Sequence, residues 1–174
     1  CARNGNQLIL AGRDFNAQWS VGNGMLYQGV RRSLAGLTPG LTGSYQTGNA
    51  AVALAAAEQL EALGFPVSEQ AMRQGLANTR WPGRMELVRL AEGAELLLDG
   101  AHNPAGAQAL SRALEAYSGR RMILLLGMME DKDHQGVLQH LLPVFDQIIT
   151  VTPSQERAIP ATDLAAACRN RGVS

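Results

Sequence analysis

From Arg84 onward the sequence keeps changing its period. Short apolar runs, RMELVRL, AELLLD, RMILLLG and DQIITVT, alternate with stretches of helical spacing. A chain written this way has few choices. Strands and helices in turn predict an α/β domain with a mainly parallel sheet and right-handed crossovers. RMILLLG is apolar almost throughout, the pattern of a strand buried on both faces. RMELVRL and AELLLD are expected as strands joined at Glu92-Gly93. Helices are expected from Pro104 to Tyr117, over HQGVLQHLL and over ATDLAAACRNR. Asn103 caps the first of these, and Thr162 is available to cap the last.

The preceding part reads differently. The first 46 residues are rich in Gly, Asn and Thr and carry strand-like pieces, QLILAGRDF and MLYQGV. Turns are expected at Gly12, Asn23-Gly24 and Pro39-Gly40. NAAVALAAAEQLEALG then predicts a helix with Asn49 as N-cap and Gly64 as its left-handed stop. Its many alanines permit close packing against a neighbour. A second helix is expected from Ser68, its N-cap, to about Asn78, with Val67 and Met72 placed as a hydrophobic staple. In RWPGR, Pro82-Gly83 can continue neither helix nor strand. The domain boundary is placed there, giving 1–82 and 83–174 with a hinge at Trp81–Arg84. The 174 residues, 46% hydrophobic, suffice for one core or parts of two.

Composition removes some function classes. Lys+Arg and Asp+Glu are 15 each, so nothing suggests a nucleic acid or an acidic membrane as partner. Cys1 and Cys168 have no C-x-x-C spacing and read as chance thiols of a reducing compartment. No apolar run approaches the roughly 20 residues of a membrane span, and no signal peptide is visible. The expectation is a soluble cytoplasmic protein. The chain opens without methionine while entering a strand, and stops as a helix ends. It is expected to be a piece of something longer.

In an open parallel sheet, ligands gather beyond the carboxyl ends of the strands. Three loops are expected on that edge. DGAHN follows Leu98, GMMEDKD follows Leu126, and TPSQER follows Val151. They bring Asp99 and His102; Asp131, Lys132 and Asp133; Glu156 and Arg157. Charges of both signs suit a small ligand that is itself zwitterionic or phosphorylated. Each group also has a plainer explanation. Asn103 caps a helix whatever else it does, and Asp99 could simply accept nearby backbone N–H groups. EDKDH alone reads as a solvated turn, and Arg157 alone as a surface residue. Their common edge is what the plainer explanations do not require. There is no G-x-G-x-x-G after a strand and no G-x-x-x-x-G-K-[ST]. His102, His134 and His140 lack zinc spacing, so no metal site is assigned; Asp99 and His102 could touch a metal only with help from elsewhere.

Taken in order, NAAVALAAAEQL, WPGRMELV, LLLDGAHNPAGAQAL, LLLGMMEDKD and ERAIPATDLA resemble the folylpolyglutamate synthase/dihydrofolate synthase family of the ATP-dependent Mur ligase superfamily. The resemblance covers essentially the whole chain, and DGAHNP and PGR are its specific parts. It implies that 1–82 is the last β/α portion of the central ATP-binding domain. It implies that 83–174 is most of a C-terminal Rossmann-like, glutamate ligase domain, truncated at its end. The family's phosphate loop, magnesium ligands and pterin-binding loop would lie upstream of Cys1, so this stretch alone is expected to be inactive.

The implied reaction uses ATP and Mg2+ to phosphorylate a folate or dihydropteroate carboxylate. The amine of L-glutamate then attacks the acyl phosphate. By the same resemblance Asn49 would contact the adenine, Arg84 the ATP phosphates, and Asp99 the nucleotide from across the domain cleft. His102 would serve catalysis by orienting the reacting groups. Lys132 is the candidate anchor for the glutamate carboxylate, with Arg157 second. A monomer with small-molecule partners only is expected. Two alternatives stay open: a Mur-type peptidoglycan amino acid ligase, and a nucleotide-binding module without catalysis.

Overall fold

The computed structural model describes residues 7–91 and 93–171. The readings placed on Cys1 and Glu92 lie outside the described residues. Contacts divide the chain into two compact units, Cys1–Leu98 and Asp99–Ser174.

In the first unit, β1 (Asn16–Ser20), β2 (Gly24–Gln28) and β3 (Ser33–Leu37) form an antiparallel sheet in that order. The strand expected over QLILAGRDF is not formed there. Asp14 Oδ2 accepts the Leu10 N–H at 2.8 Å, and the chain turns at Gly12, bridging Ala11 to Phe15. The loop closes on itself before a strand can extend. SLAGL, unmarked in the sequence reading, supplies β3. Against this sheet lies α1 (Gln46–Ala62), followed by α2 (Glu69–Asn78). Ser68 caps α2, its hydroxyl accepting from Ala71 N at 3.1 Å, and Gly64 turns left-handed after α1. Phe15, Met25, Tyr27, Leu34, Leu37, Leu54 and Met72 build the core, with Val67 packed against it.

Helix α1 starts earlier than expected. Tyr45 holds the N-cap position, with no capping bond from its side chain, so Asn49 is not the cap. Turn bonds from Gln46 N to Gly43 O and from Thr47 N to Ser44 O wind the chain before Asn49 is reached. Asn49 Nδ2 instead donates to Gln46 Oε1 at 2.9 Å. The buried stripe runs Gln46, Ala50, Ala51, Leu54, Ala55, Glu58, while Val52 and Leu60 are exposed. Alanine on every face hides this stripe from any periodicity argument. The spacing of four between its members is nonetheless that of one helix face.

Glu58, wholly buried, explains the stripe's far end. Its carboxylate accepts the N–H groups of Val30 (2.9 Å), Arg31 (3.2 Å) and Arg32 (3.2 Å) in the β2–β3 connection. Arg32 adds an ion pair to Glu61 at 2.5 Å. The Tyr27 hydroxyl lies in the same buried spot without a well-formed hydrogen bond. Burial first, and then the Glu58 charge, push that phenol far above its ordinary pKa. Gly29 is required here, because a Cβ would collide with Glu58 Oε1 and the Tyr27 ring.

The first unit ends in an antiparallel hairpin, β4 (Glu86–Arg89) with β5 (Glu95–Leu98). In the second unit α3 (Pro104–Leu114) precedes β6 (Ile123–Leu126), α4 (His134–Leu141), β7 (Gln147–Thr150) and α5 (Ala161–Arg169). Strands β6 and β7 pair in parallel with α4 as their crossover, Leu124 opposite Ile148 and Leu126 opposite Thr150. Leu114, Leu126, Val137, Leu138, Leu141 and Leu164 are buried, as is the free thiol of Cys168, whose pKa burial raises. Among the described residues only one face of this two-stranded sheet is covered. Ile123 and Leu125 stay 49% and 62% exposed, so the expectation of a strand buried on both faces is corrected. Pro160 precedes α5 without a side-chain cap; Thr162 lies inside the helix and donates to Asp163. Among the described residues no helix is long and apolar enough to cross a membrane.

Candidate active site

The loop after β5 is organised by its own side chains. Asp99 Oδ1 accepts the Ala101 N–H at 2.9 Å, which turns the chain. His102 Nδ1 lies 2.9 Å from Gly100 O. A carbonyl can only accept, so this bond needs the ring hydrogen on Nδ1. Asn103 Oδ1 accepts from Gly106 N at 2.8 Å and caps α3, with Pro104 at the first helical position. Asn103→Ala should therefore lower stability by about 1 kcal/mol, read from a urea midpoint.

The next two loops meet each other. The stretch after β6 and the stretch after β7 are joined by a bridge between Met129 and Ala158. Bonds from Glu130 N to Arg157 O and from Ile159 N to Met128 O, both 2.9 Å, continue the ladder. Gly127 allows the approach, since a Cβ there would come within 2.7 Å of Pro153. This ladder carries Lys132 and Arg157 to one carboxylate. Asp131 Oδ2 is 3.0 Å from Lys132 Nζ and 3.5 Å from Arg157 Nη1. The hydrogen bond from Lys132, helped by the charge of Arg157, holds the Asp131 carboxyl below its usual range. All three side chains are substantially solvated, Arg157 at 72%, so the pairs add little to stability. What they offer is exchangeability: an incoming carboxylate can take the place of Asp131 beside either cation. An open cleft of about 570 Å³ adjoins them, lined by Met129, Ser154, Gln155, Glu156 and Arg157.

In the first unit, Asn49 and Arg84 make local contacts. Asn49 bonds within α1, and Arg84 Nη1 reaches Gly83 O at 3.3 Å. Arg84 stands between Gly83 (φ +71°) and Met85 (φ +47°). A left-handed methionine costs about 1–2 kcal/mol and is held by its surroundings. Sequence reasoning had no means of finding this. It also missed Asp131 as the link between Lys132 and Arg157. The adjacent Asp-Lys was visible, but the partner on the next loop depends on the ladder.

The Mur ligase, glutamate ligase domain model matches residues 83–174, more than half of the chain. The chain belongs to the Mur ligase family. Within that family it is 30% identical over 165 residues to the folylpolyglutamate synthase of Lacticaseibacillus casei, covering 91% of this chain and 38% of that one. The Mycobacterium tuberculosis folylpolyglutamate synthase complexed with ADP superposes with a TM-score of 0.85 at 31% identity, over 98% of this chain and 38% of that chain. A bifunctional folylpolyglutamate synthase/dihydrofolate synthase with Mn, AMPPNP and L-glutamate bound gives 0.77 at 32%, over 95% and 38%. The chain thus spans little over a third of the length of these Mur ligase relatives. The α/β class expected from the alternating periods is the family's fold; of the mainly parallel sheet expected, β6 and β7 pair in parallel and β4 and β5 antiparallel.

Proposed function

We propose that this chain is part of an ATP-dependent ligase that joins L-glutamate to a folate or dihydropteroate carboxylate. The observation that carries the reading is the meeting of Lys132 and Arg157 at Asp131, on a scaffold closely similar to folylpolyglutamate synthases. A zwitterionic dicarboxylate needs cations at one end of its site, and the relative with bound nucleotide and L-glutamate supports the same choice. The relatives compared favour folate over peptidoglycan chemistry. In this reading 1–82 belongs to the ATP-binding domain and 83–174 to the glutamate ligase domain. The start of the family match at residue 83 and the Pro82-Gly83 break support that boundary, which lies ahead of the division by contacts at Leu98.

The terminal phosphoryl group of ATP passes to a carboxylate oxygen, giving an acyl phosphate and ADP. The glutamate amine then attacks the acyl carbon, the amide bond forms, and phosphate leaves as the amine loses its proton. Such catalysis is chiefly positioning and charge stabilisation. Asn49 meets the adenine, Arg84 the phosphates, and Asp99 the nucleotide. His102 orients the reacting groups. Lys132 holds the glutamate carboxylate with Arg157 beside it. A divalent ion is bound in a relative. In this reading the ion is magnesium and its ligands lie mostly outside this stretch of chain. The same reading places the protein in the cytoplasm as a monomer, without nucleic-acid or membrane partners.

The test uses the full-length protein with ATP, L-glutamate, and dihydropteroate or a reduced folate. Phosphate release that needs both acceptor and glutamate is expected. Nucleotide binding without turnover would leave a non-catalytic module instead. Lys132→Ala should raise KM for glutamate about tenfold, the loss of one charge-assisted bond, and leave KM for ATP unchanged.

A further inference from the structure

We propose that Thr42 is a positioning residue for the nucleotide: by holding the Met85 carbonyl it fixes the direction in which Arg84 leaves the chain. This rests on the reading of Arg84 as the group that meets the ATP phosphates. Met85 is the one non-glycine residue with positive φ among those described, at +47°. Glycine enters that region freely, whereas methionine is crowded there by its own Cβ. Such backbone persists only where its surroundings over-determine it.

Contacts on both sides of Arg84 supply that constraint. The Met85 side chain is buried, 8% exposed. Its carbonyl accepts the Thr42 hydroxyl at 3.0 Å, from a residue 43 positions earlier. On the other side, Gly83 N donates to Glu86 Oε2 at 2.8 Å. The arginine's own contact, Nη1 to Gly83 O at 3.3 Å, is local and long. A guanidinium placed this way takes its aim from the backbone beneath it. If Met85 relaxed into ordinary backbone, the peptide planes beside it would swing and Arg84 would be re-aimed. Thr42 is itself exposed, so it serves this bond without belonging to the core.

The experiment compares variants of the full-length protein. Thr42→Val keeps the shape and deletes the donor. KM for ATP should rise about tenfold, the scale expected when a phosphate-binding group is misaimed. KM for glutamate should stay constant, and the thermal midpoint should move by no more than about 2 °C. Thr42→Ser, which keeps the hydroxyl, should restore KM for ATP. In an Arg84→Ala background, Thr42→Val should add nothing, because both act through one group. An unchanged KM for ATP in Thr42→Val overturns the proposal. So does failure of Thr42→Ser to restore it, or an equal rise with Arg84 already removed. If Arg84→Ala alone leaves ATP kinetics untouched, the reading of Arg84 has failed first and takes this proposal with it.

Discussion

Asp99→Ala in the full-length protein is expected to slow glutamate ligation about a hundredfold, the usual loss when one interaction specific to the transition state is removed. Stability should fall by no more than about 1 kcal/mol. The Asp99 carboxylate accepts the Ala101 N–H in a half-buried loop, where water can replace the lost acceptor. Asp99→Asn separates the two duties. It retains an oxygen for Ala101 N and removes the charge, so it should be as stable as the native protein and nearly as slow as the alanine variant. Steady-state rates with ATP and glutamate varied separately, beside urea midpoints, make the measurement. A destabilised but fully active Asp99→Ala protein would leave this residue as a turn-former only.

Glu58→Ala is expected to have the largest effect on stability, a loss of about 3 kcal/mol. The carboxylate is wholly buried and satisfies three consecutive backbone N–H groups between β2 and β3. Removing it strands those donors next to Tyr27, whose hydroxyl already lacks a well-formed partner. For a protein stable by some 5–15 kcal/mol the loss is a large fraction of the total. Glu58→Gln, with one acceptor oxygen left, should lie between the two. Urea midpoints read the series, and hydrogen exchange at Val30, Arg31 and Arg32 locates the damage. Equal exchange at these amides in native and Glu58→Ala protein would refute the clamp.

What could be read beforehand divides along physical lines. The caps Ser68 and Asn103, the stop at Gly64 and the strand–helix alternation after Arg84 are local, set by side chains within a few residues. They were legible. Asn49 was misread as a cap because capping preference is statistical, whereas the turn at Gly43–Thr47 had already begun the helix. The burial of Glu58 and the exposure of Val52 were beyond reach, since an alanine-rich helix carries no moment to show which side faces the sheet. RMILLLG was over-read, because an apolar run reports what a strand is suited to and not which neighbours its face meets. At the candidate site, residue types and loops were visible one by one. The contact between Asp131 and Arg157 needed the pairing of two loops, and the left-handed Met85 needed coordinates.

The ladder between the loops after β6 and β7 bears on how the specificity of the proposed amino acid site could change. Met128, Met129, Glu130, Arg157, Ala158 and Ile159 are joined there through main-chain atoms. The side chains at 131, 132 and 157 therefore ride on a frame that does not depend on their identity. A sign of charge or a side-chain length can be exchanged at any of them without unseating the others. If the site takes an acidic amino acid as proposed, a descendant could trade it for a neutral or basic one in few steps, each passing through a folded protein.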